Sequence, residues 1–430
     1  MATKSIEITH KETIRPSSPT PHTHKTLKLS LIDQFMPETY TPIVLFYSGD
    51  SEEDREKKSE KLRTSLAETL TQFYPLTGRL KDNSVIECED QGALYVEAQI
   101  GCSLSDILKK PEAGSLDQFL PAAIESSESV TGSLLLVQAT FFACGGLAIG
   151  VCISHKIADA ATLAQFIKFW SRIAIGSEVD APVFLADSMF SPIEFSAPEK
   201  SVQMQYTKCI TKRFVFAGSK IGALKELASS TVAPKPTRVE AVSGLIWKGV
   251  ITALKKSNPN LTRPSVWSVS VNLRPRFTPP VPENHAGNLV VIVTPKVEEV
   301  TELKDLVGVI KEEMQEFVEH YVKKLQGEDG VEAICEFGRE FARKALSGDI
   351  DFFMCSAWCR FGLYDADFGW RKPVWLSIVS TNIRNVCILL DTKDGEGFEA
   401  WITLSEEEMF WFESDEQVLQ FSEVNPSVIV

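Results

Sequence analysis

The chain has 430 residues, 44% of them hydrophobic and 24% charged, the profile of a folded soluble protein. That length is too great for one ordinary core, so about two domains are expected. A net charge of −14 excludes a general nucleic-acid binder, which carries a basic excess, but leaves room for an anionic ligand held by a local basic patch.

The N-terminal stretch "MATKSIEITHKETIRPSSPTPHTHKT" is polar and has no apolar h-region, so it does not read as a secretory signal. Its prolines forbid a helix interior, and the chain is expected to run extended into "KTLKLSLIDQF". "TPIVLFYS" reads as a strand, and the charge run "SGDSEEDREKKSEK" as a solvated loop leading into a helix. Leu62, Leu66, Leu70 and Phe73 then recur at helical spacing, and Pro75 and Gly78 end the helix. "VIECEDQGALYVEAQI" alternates around Gln91-Gly92 and reads as a hairpin. The uncharged run from Leu134 to Ile153 is long enough to span a bilayer, but Gly145-Gly146 at its middle favours two buried strands joined by a turn. Beyond it, Leu163, Phe166, Ile167 and Trp170 form one helical face.

"FLADSMFSPIEFSAPEKS" is coil-like and is the best linker in the chain. After it, "TKRFVFAGSKIGALKELASS" reads as a strand and a helix capped by Ser219, and "TRVEAVSGLIWKGVITALKK" as an amphipathic helix. "SVWSVSVNLRPRF", "LVVIVTP", "KPVWLSIVSTN", "NVCILLDTK" and "GFEAWITLS" read as strands, and "TELKDLVGVIKEEMQEFVEHYVKKLQ" as one long helix. Nine scattered cysteines with no CxxC spacing argue for a reducing compartment, with neither a disulfide framework nor a zinc site.

Histidine is scarce, and only His155 follows directly on a buried strand and precedes a helix, the place where α/β folds present reactive side chains. Asp159 stands just before the helical pattern, where its carboxylate can accept the orphan N–H groups of the first turn. Two readings are open locally. His155 is a general base with Asp159 orienting it or locking its loop, or the pair is a capped turn with a satisfied histidine. No GxSxG elbow, HExxH, P-loop or GxGxxG offers another chemistry.

"SHKIADA" resembles the HxxxD motif of the plant BAHD acyltransferases, and "DADFGWRKP" resembles their second signature, DFGWG followed by KP. "SSPTPHTHKTLKLSLIDQ", "FYPLTGRL", "VNLRPR" and "AGNL" recur in the family's order, so the likeness spans nearly the whole chain. The resemblance implies an α/β fold of two chloramphenicol-acetyltransferase-like domains with mixed sheets flanked by helices. They cover residues 1–183 and 206–430, joined by a crossover at 184–205, with a segment near 366–391 returning to the first domain. It implies a channel between the domains, an acyl-CoA (acetyl-CoA foremost) as co-substrate, and a small-molecule acceptor such as an alkaloid hydroxyl. No permanent cofactor, metal, nucleic acid or membrane is implied, and the expected state is a cytoplasmic monomer. In that scheme His155 is the base, acting in a ternary complex without an acyl-enzyme. Asp159 and Asp367 are structural, and Arg274 is the charge partner of one of them. A bland alternative for Arg274 is a surface arginine before a proline.

One position departs from the family pattern: Arg371 stands where the signature has glycine. An ordinary φ at Arg371, or a shifted loop, is therefore expected, because left-handed backbone is costly for arginine. Arg371 and Lys372 are also candidates for attracting the phosphates of coenzyme A. The altered signature raises a different class of function as well, a catalytically weak binding protein on the same scaffold. A carrier-protein condensation domain fits less well, since the motif lacks a doubled histidine.

Overall fold

The computed structural model describes residues 5–49, 54–126, 132–184, 186–193, 208–260, 262–299 and 302–429. Most of the expected crossover at 184–205 lies outside them. Two large sheets organise the chain. In the first, β1 (Glu7–Ile14), β2 (Tyr40–Tyr47), β3 (Ala93–Ile100), β4 (Leu135–Phe142) and β5 (Leu147–Ser154) lie in the order β1-β3-β4-β5-β2. Every residue of β2, β4 and β5 is buried. The uncharged run is thus a core hairpin, with Gly145 at φ +81° in its turn. No helix among the described residues is long and apolar enough to cross a membrane.

The edge beside β2 comes from far along the chain: Trp375–Ser377 pairs antiparallel with β2. The returning segment is shorter than the 366–391 expected, because Val386–Asp391 belongs to the second sheet. That sheet comprises β6 (Cys209–Phe216), β7 (Ser265–Asn272), β8 (Val290–Val293), β9 (Asp351–Ala357), β10 (Val386–Asp391) and β11 (Phe398–Ser405), in the order β8-β7-β9-β10-β11-β6, with short flanking pairs at Lys296–Val297 and Glu423–Val424. The two sheets meet at a buried knot. Arg213 pairs with Glu399 at 2.8 Å, and its guanidinium lies 5.2 Å from the ring centre of Trp375, whose indole N–H donates to the same carboxylate.

Helices cover the sheets as the apolar spacing requires. Leu62, Leu66 and Leu70 of the helix Arg55–Gln72 are fully buried, as is Phe73 at its end. They face the helix Ala160–Ala174, whose Leu163, Phe166, Ile167 and Trp170 are buried as well. Pro75 and Gly78 lie in the tight turn after the first of these helices, as expected.

Several local expectations fail for identifiable reasons. The proposed hairpin across Gln91-Gly92 is a crossing between sheets: Val85–Glu87 pairs with Thr26–Lys28 and Arg79–Lys81, whereas β3 pairs with β1 and β4. Gly92 at φ +93° turns the chain from one sheet to the other, against the backbone of Ile14. The segment into which the proline stretch runs ends in a helix at Leu31–Phe35 that was not expected, because Ser30 and Asp33 form a reciprocal capping box. The helix after β6 begins at Gly218, one residue before the expected Ser219 cap. The long charged helix is interrupted by a π-turn at Phe317–Tyr321. All nine cysteines are free thiols.

Candidate active site

β5 delivers His155. The strand ends at Ser154, whose N–H donates to Leu134, and the His155 N–H donates to the carbonyl of Thr39 at 2.9 Å. The chain then turns, with the N–H groups of Ile157 and Ala158 both donating to the Ser154 carbonyl, and enters the helix Ala160–Ala174. Asp159 caps that helix, accepting the Thr162 N–H at 2.8 Å on Oδ1.

The other half of the site is the loop after β7. Arg274 is 4% exposed, and its guanidinium is fully engaged. Nη1 donates to Asp159 Oδ2 at 2.7 Å, Nε to the His285 carbonyl at 3.0 Å, and Nη2 to the Gly287 carbonyl at 2.8 Å and Thr162 Oγ1 at 3.1 Å. Arg274 is therefore no surface residue, and its partner is Asp159. The Leu289 N–H adds a second donor to Asp159 Oδ2 at 3.0 Å. Burial pushes the Asp159 carboxyl up, but the charge and hydrogen bond of Arg274, with the two backbone donors, more than offset this and hold it below the ordinary range. The hydrogen bonds of Asp159 are thus spent on joining the helix cap to the 285–289 loop. Gly287, at φ +125°, lets that loop bend so that its N–H donates to the Thr162 hydroxyl while its carbonyl accepts from the same hydroxyl and from Arg274.

The next residue, Asn288, reaches His155. Its Oδ1 lies 3.2 Å from His155 Nδ1, while its Nδ2 donates to the His155 carbonyl and to Asp33 Oδ1, both at 2.8 Å. Two acceptors on Nδ2 fix the amide's orientation. Oδ1 must then face the ring, so Nδ1 carries the proton and Nε2 holds the lone pair. His155 is half-buried, and burial lowers its pKa, an effect only partly countered by Asp159 and Asn288, so the ring is neutral at neutral pH. Lys156, next in the chain, is 3% exposed with its ammonium on the Gln34 carbonyl at 3.0 Å; burial lowers its pKa to about 8. A neutral imidazole with a held Nδ1–H and a free-electron Nε2 can take a proton from a hydroxyl docked beside it.

Asp367 is elsewhere. Its Oδ1 accepts the N–H groups of Gly369 at 2.8 Å and Arg371 at 3.0 Å, and it has no cation partner among the described hydrogen bonds and ion pairs. Phe368 and Trp370, both buried, pack edge-on against Tyr47, and Phe368 does the same against Trp170. Trp170 lies ~16 Å along its helix from the Asp159 cap, so this segment supports the helix from its far end. The expectation of an ordinary φ at Arg371 is wrong: φ is +85°. The Asp367 carboxylate, the stacked Phe368 and Trp370 rings and Gly369 at φ +102° hold the loop on both sides of that residue, so its left-handed backbone persists despite the side chain. Arg371 and Lys372 are both exposed, and the Lys372 ammonium pairs with Asp365 at 2.7 Å.

Sequence reasoning passed over Asn288 and Asp33 as site residues, although both lie in the quoted pieces "AGNL" and "SLIDQ". Spacing offered a signal only for Asp33, whose place three residues after Ser30 fits a capping box.

The family model described as "Transferase family" matches residues 4–419. The chain belongs to this family, the BAHD acyltransferases. It is 38% identical to stemmadenine O-acetyltransferase of Catharanthus roseus over 95% of this chain and 96% of that one. It is 36% identical to limonoid 1-O-acetyltransferase of Citrus sinensis over 99% and 100%. The crystal structure of vinorine synthase superposes with a TM-score of 0.86 at 34% identity, covering 97% of this chain and 99% of that one. The fold is shared at 15% identity and a TM-score of 0.76 by the F. graminearum TRI101 protein, solved with coenzyme A and T-2 mycotoxin, over 93% of this chain and 99% of that one. This chain is accordingly a BAHD-type acyltransferase that uses an acyl-CoA co-substrate.

Proposed function

We propose that this enzyme transfers an acetyl group from acetyl-CoA to a hydroxyl on a polycyclic plant metabolite of alkaloid or limonoid type. His155 is the general base in a ternary complex. The observation that carries this reading is the contact of Asn288 Oδ1 with His155 Nδ1 at 3.2 Å, at the junction of the two halves. The O-acetyltransferase names of relatives matched along almost their whole length support the acetyl donor and the hydroxyl acceptor.

The reaction runs in a few steps. The acceptor hydroxyl docks with its proton on His155 Nε2. As the oxygen attacks the thioester carbonyl the proton moves to Nε2, giving an imidazolium with Nδ1–H on Asn288 and a tetrahedral oxyanion. The intermediate collapses with cleavage of the C–S bond, and Nε2–H protonates the departing thiolate, releasing coenzyme A and restoring neutral His155. A base of this kind contributes ~10²–10⁴-fold. Asp159 and Arg274 hold the loop that carries the base to the loop that carries Asn288. Asp367 holds the distal turn.

The domain division at 184–205, a single-chain active unit and a cytoplasmic site of action belong to the same reading. Arg371 acts at long range as an attractor for coenzyme A phosphates. Lys372 contributes less, because Asp365 already pairs with it. The weak-binder alternative rested on the altered signature; the left-handed backbone at Arg371 leaves nothing to favour it.

The test is coenzyme A release measured with acetyl-, malonyl- and benzoyl-CoA, each against a panel of hydroxylated alkaloids and limonoids. Acceptor-dependent release fastest with acetyl-CoA supports the assignment. Faster release with another donor, or transfer only to amines, overturns it.

A further inference from the structure

We propose that Asp33 is a positioning residue for the transfer reaction: through Asn288, its carboxylate selects the Nδ1–H tautomer of His155. The inference rests on the general-base reading above but concerns a residue that touches neither the imidazole nor any substrate.

The geometry is a chain of three side chains from three parts of the sequence. Asp33 lies on the short helix Leu31–Phe35, Asn288 in the loop after β7, and His155 after β5. Asp33 and Asn288 are 4% and 0% exposed. Asp33 Oδ1 accepts both the backbone N–H of Asn288 at 3.0 Å and its Nδ2 at 2.8 Å. Oδ2 accepts the Ser30 N–H at 2.9 Å and the Ser30 hydroxyl at 2.8 Å. Both partners of Oδ1 are N–H groups that can only donate, so the site requires an acceptor oxygen facing Asn288. Burial pushes the Asp33 carboxyl above its ordinary value, and the donors from Asn288 and Ser30 only partly pull it back. Lys156, from the loop after β5, feels the charges of both Asp33 and Glu38.

The tautomer follows from Asp33. Without its carboxylate, one of the two acceptors that fix the Asn288 amide is gone. A water in the vacated space can donate or accept with equal ease, so only the His155 carbonyl still opposes rotation of the amide. Rotation places Nδ2 against His155 Nδ1, which must then accept. The ring proton moves to Nε2, where it blocks the base. A carboxylate two bonds removed thus sets which nitrogen does chemistry, and the neutral Asn288 between them keeps the negative charge off the imidazole.

The experiment is nitrogen NMR of the full chain with ¹⁵N-labelled histidine, in which the His155 signals are assigned from their loss in His155→Gln. The wild type is expected to show a protonated Nδ1 and a bare Nε2. In Asp33→Ala the bare nitrogen shifts toward Nδ1, and kcat falls by at least about tenfold while the KM for acetyl-CoA holds. Asp33→Asn, which can still offer an oxygen to Asn288, restores the wild-type tautomer and most of kcat. Ser30→Ala weakens the helix cap but leaves both Asp33–Asn288 bonds, and it keeps the wild-type tautomer. A wild type already protonated on Nε2 overturns the proposal whether or not any variant folds. So does an Asp33→Ala protein with the wild-type tautomer. Either result leaves the acyltransferase assignment standing, whereas full turnover by His155→Gln removes the general-base reading itself.

Discussion

Arg274→Met removes the cation that pairs with Asp159 and keeps much of the side chain's volume. Both partners are nearly sealed, with side-chain exposures of 4% and 8%, so solvent screens the pair little. Stranding a buried carboxylate costs about 3–5 kcal/mol. The N–H groups of Thr162 and Leu289 still serve Asp159, which places the cost in the lower part of that range. The His285 carbonyl loses its guanidinium donor, adding about 1 kcal/mol where no water replaces it, while the Gly287 carbonyl keeps the Thr162 hydroxyl. The sum is about 4–5 kcal/mol, read as a fall in the free energy of unfolding by urea at pH 7. In the folded state the Asp159 carboxyl lies below its unfolded value, so the pair's contribution is present above ordinary carboxylate pKa values and is lost as pH falls through the folded value. The gap between wild type and variant should therefore narrow on acidification. Asp159→Leu with Arg274→Met leaves no stranded charge, and the double variant should be a few kcal/mol more stable than additivity gives. A loss under about 1 kcal/mol in Arg274→Met, or strict additivity in the double variant, would refute a stabilising role for this buried pair.

Three other outcomes follow from the same geometry. Because burial lowers the His155 pKa and the base must be neutral, kcat/KM should fall on the acid side through an apparent pKa below the ordinary 6.5; an acid limb at or above that value contradicts the burial of the ring. Lys156 binds its proton less tightly folded, at about 8, than unfolded, at 10.5, so the wild type should gain about 3 kcal/mol relative to Lys156→Met as pH rises through that window; parallel stability curves would count against a buried ammonium. Arg371→Gly should raise stability by up to about 1 kcal/mol by relieving left-handed backbone and leave acetyl-CoA affinity lower at low salt only; unchanged affinity removes the phosphate role.

The fold was legible where periodicity was strong. The helix face of Leu62, Leu66 and Leu70 and the all-buried strands β4 and β5 declare themselves through apolar spacing alone. Pairing partners were not legible, because alternation says that a segment is a strand but not which strand it meets. That is why Val85–Glu87 and β3 looked like a hairpin and the Trp375–Ser377 edge could not be found by local pattern. The site divides in the same way. His155 and Asp159 are close in sequence and carry a motif, whereas Asn288 and Asp33 come together only through the meeting of the two halves. At Arg371 a local rule failed because tertiary contacts on either side outweigh a modest backbone cost.

The most direct test of the central claim is single-turnover transfer by His155→Ala, with coenzyme A binding and the folded state verified in the same preparation. The account predicts that acceptor-dependent release of coenzyme A falls by ~10²–10⁴-fold while coenzyme A still binds. Transfer at the wild-type rate by a folded His155→Ala protein would contradict it.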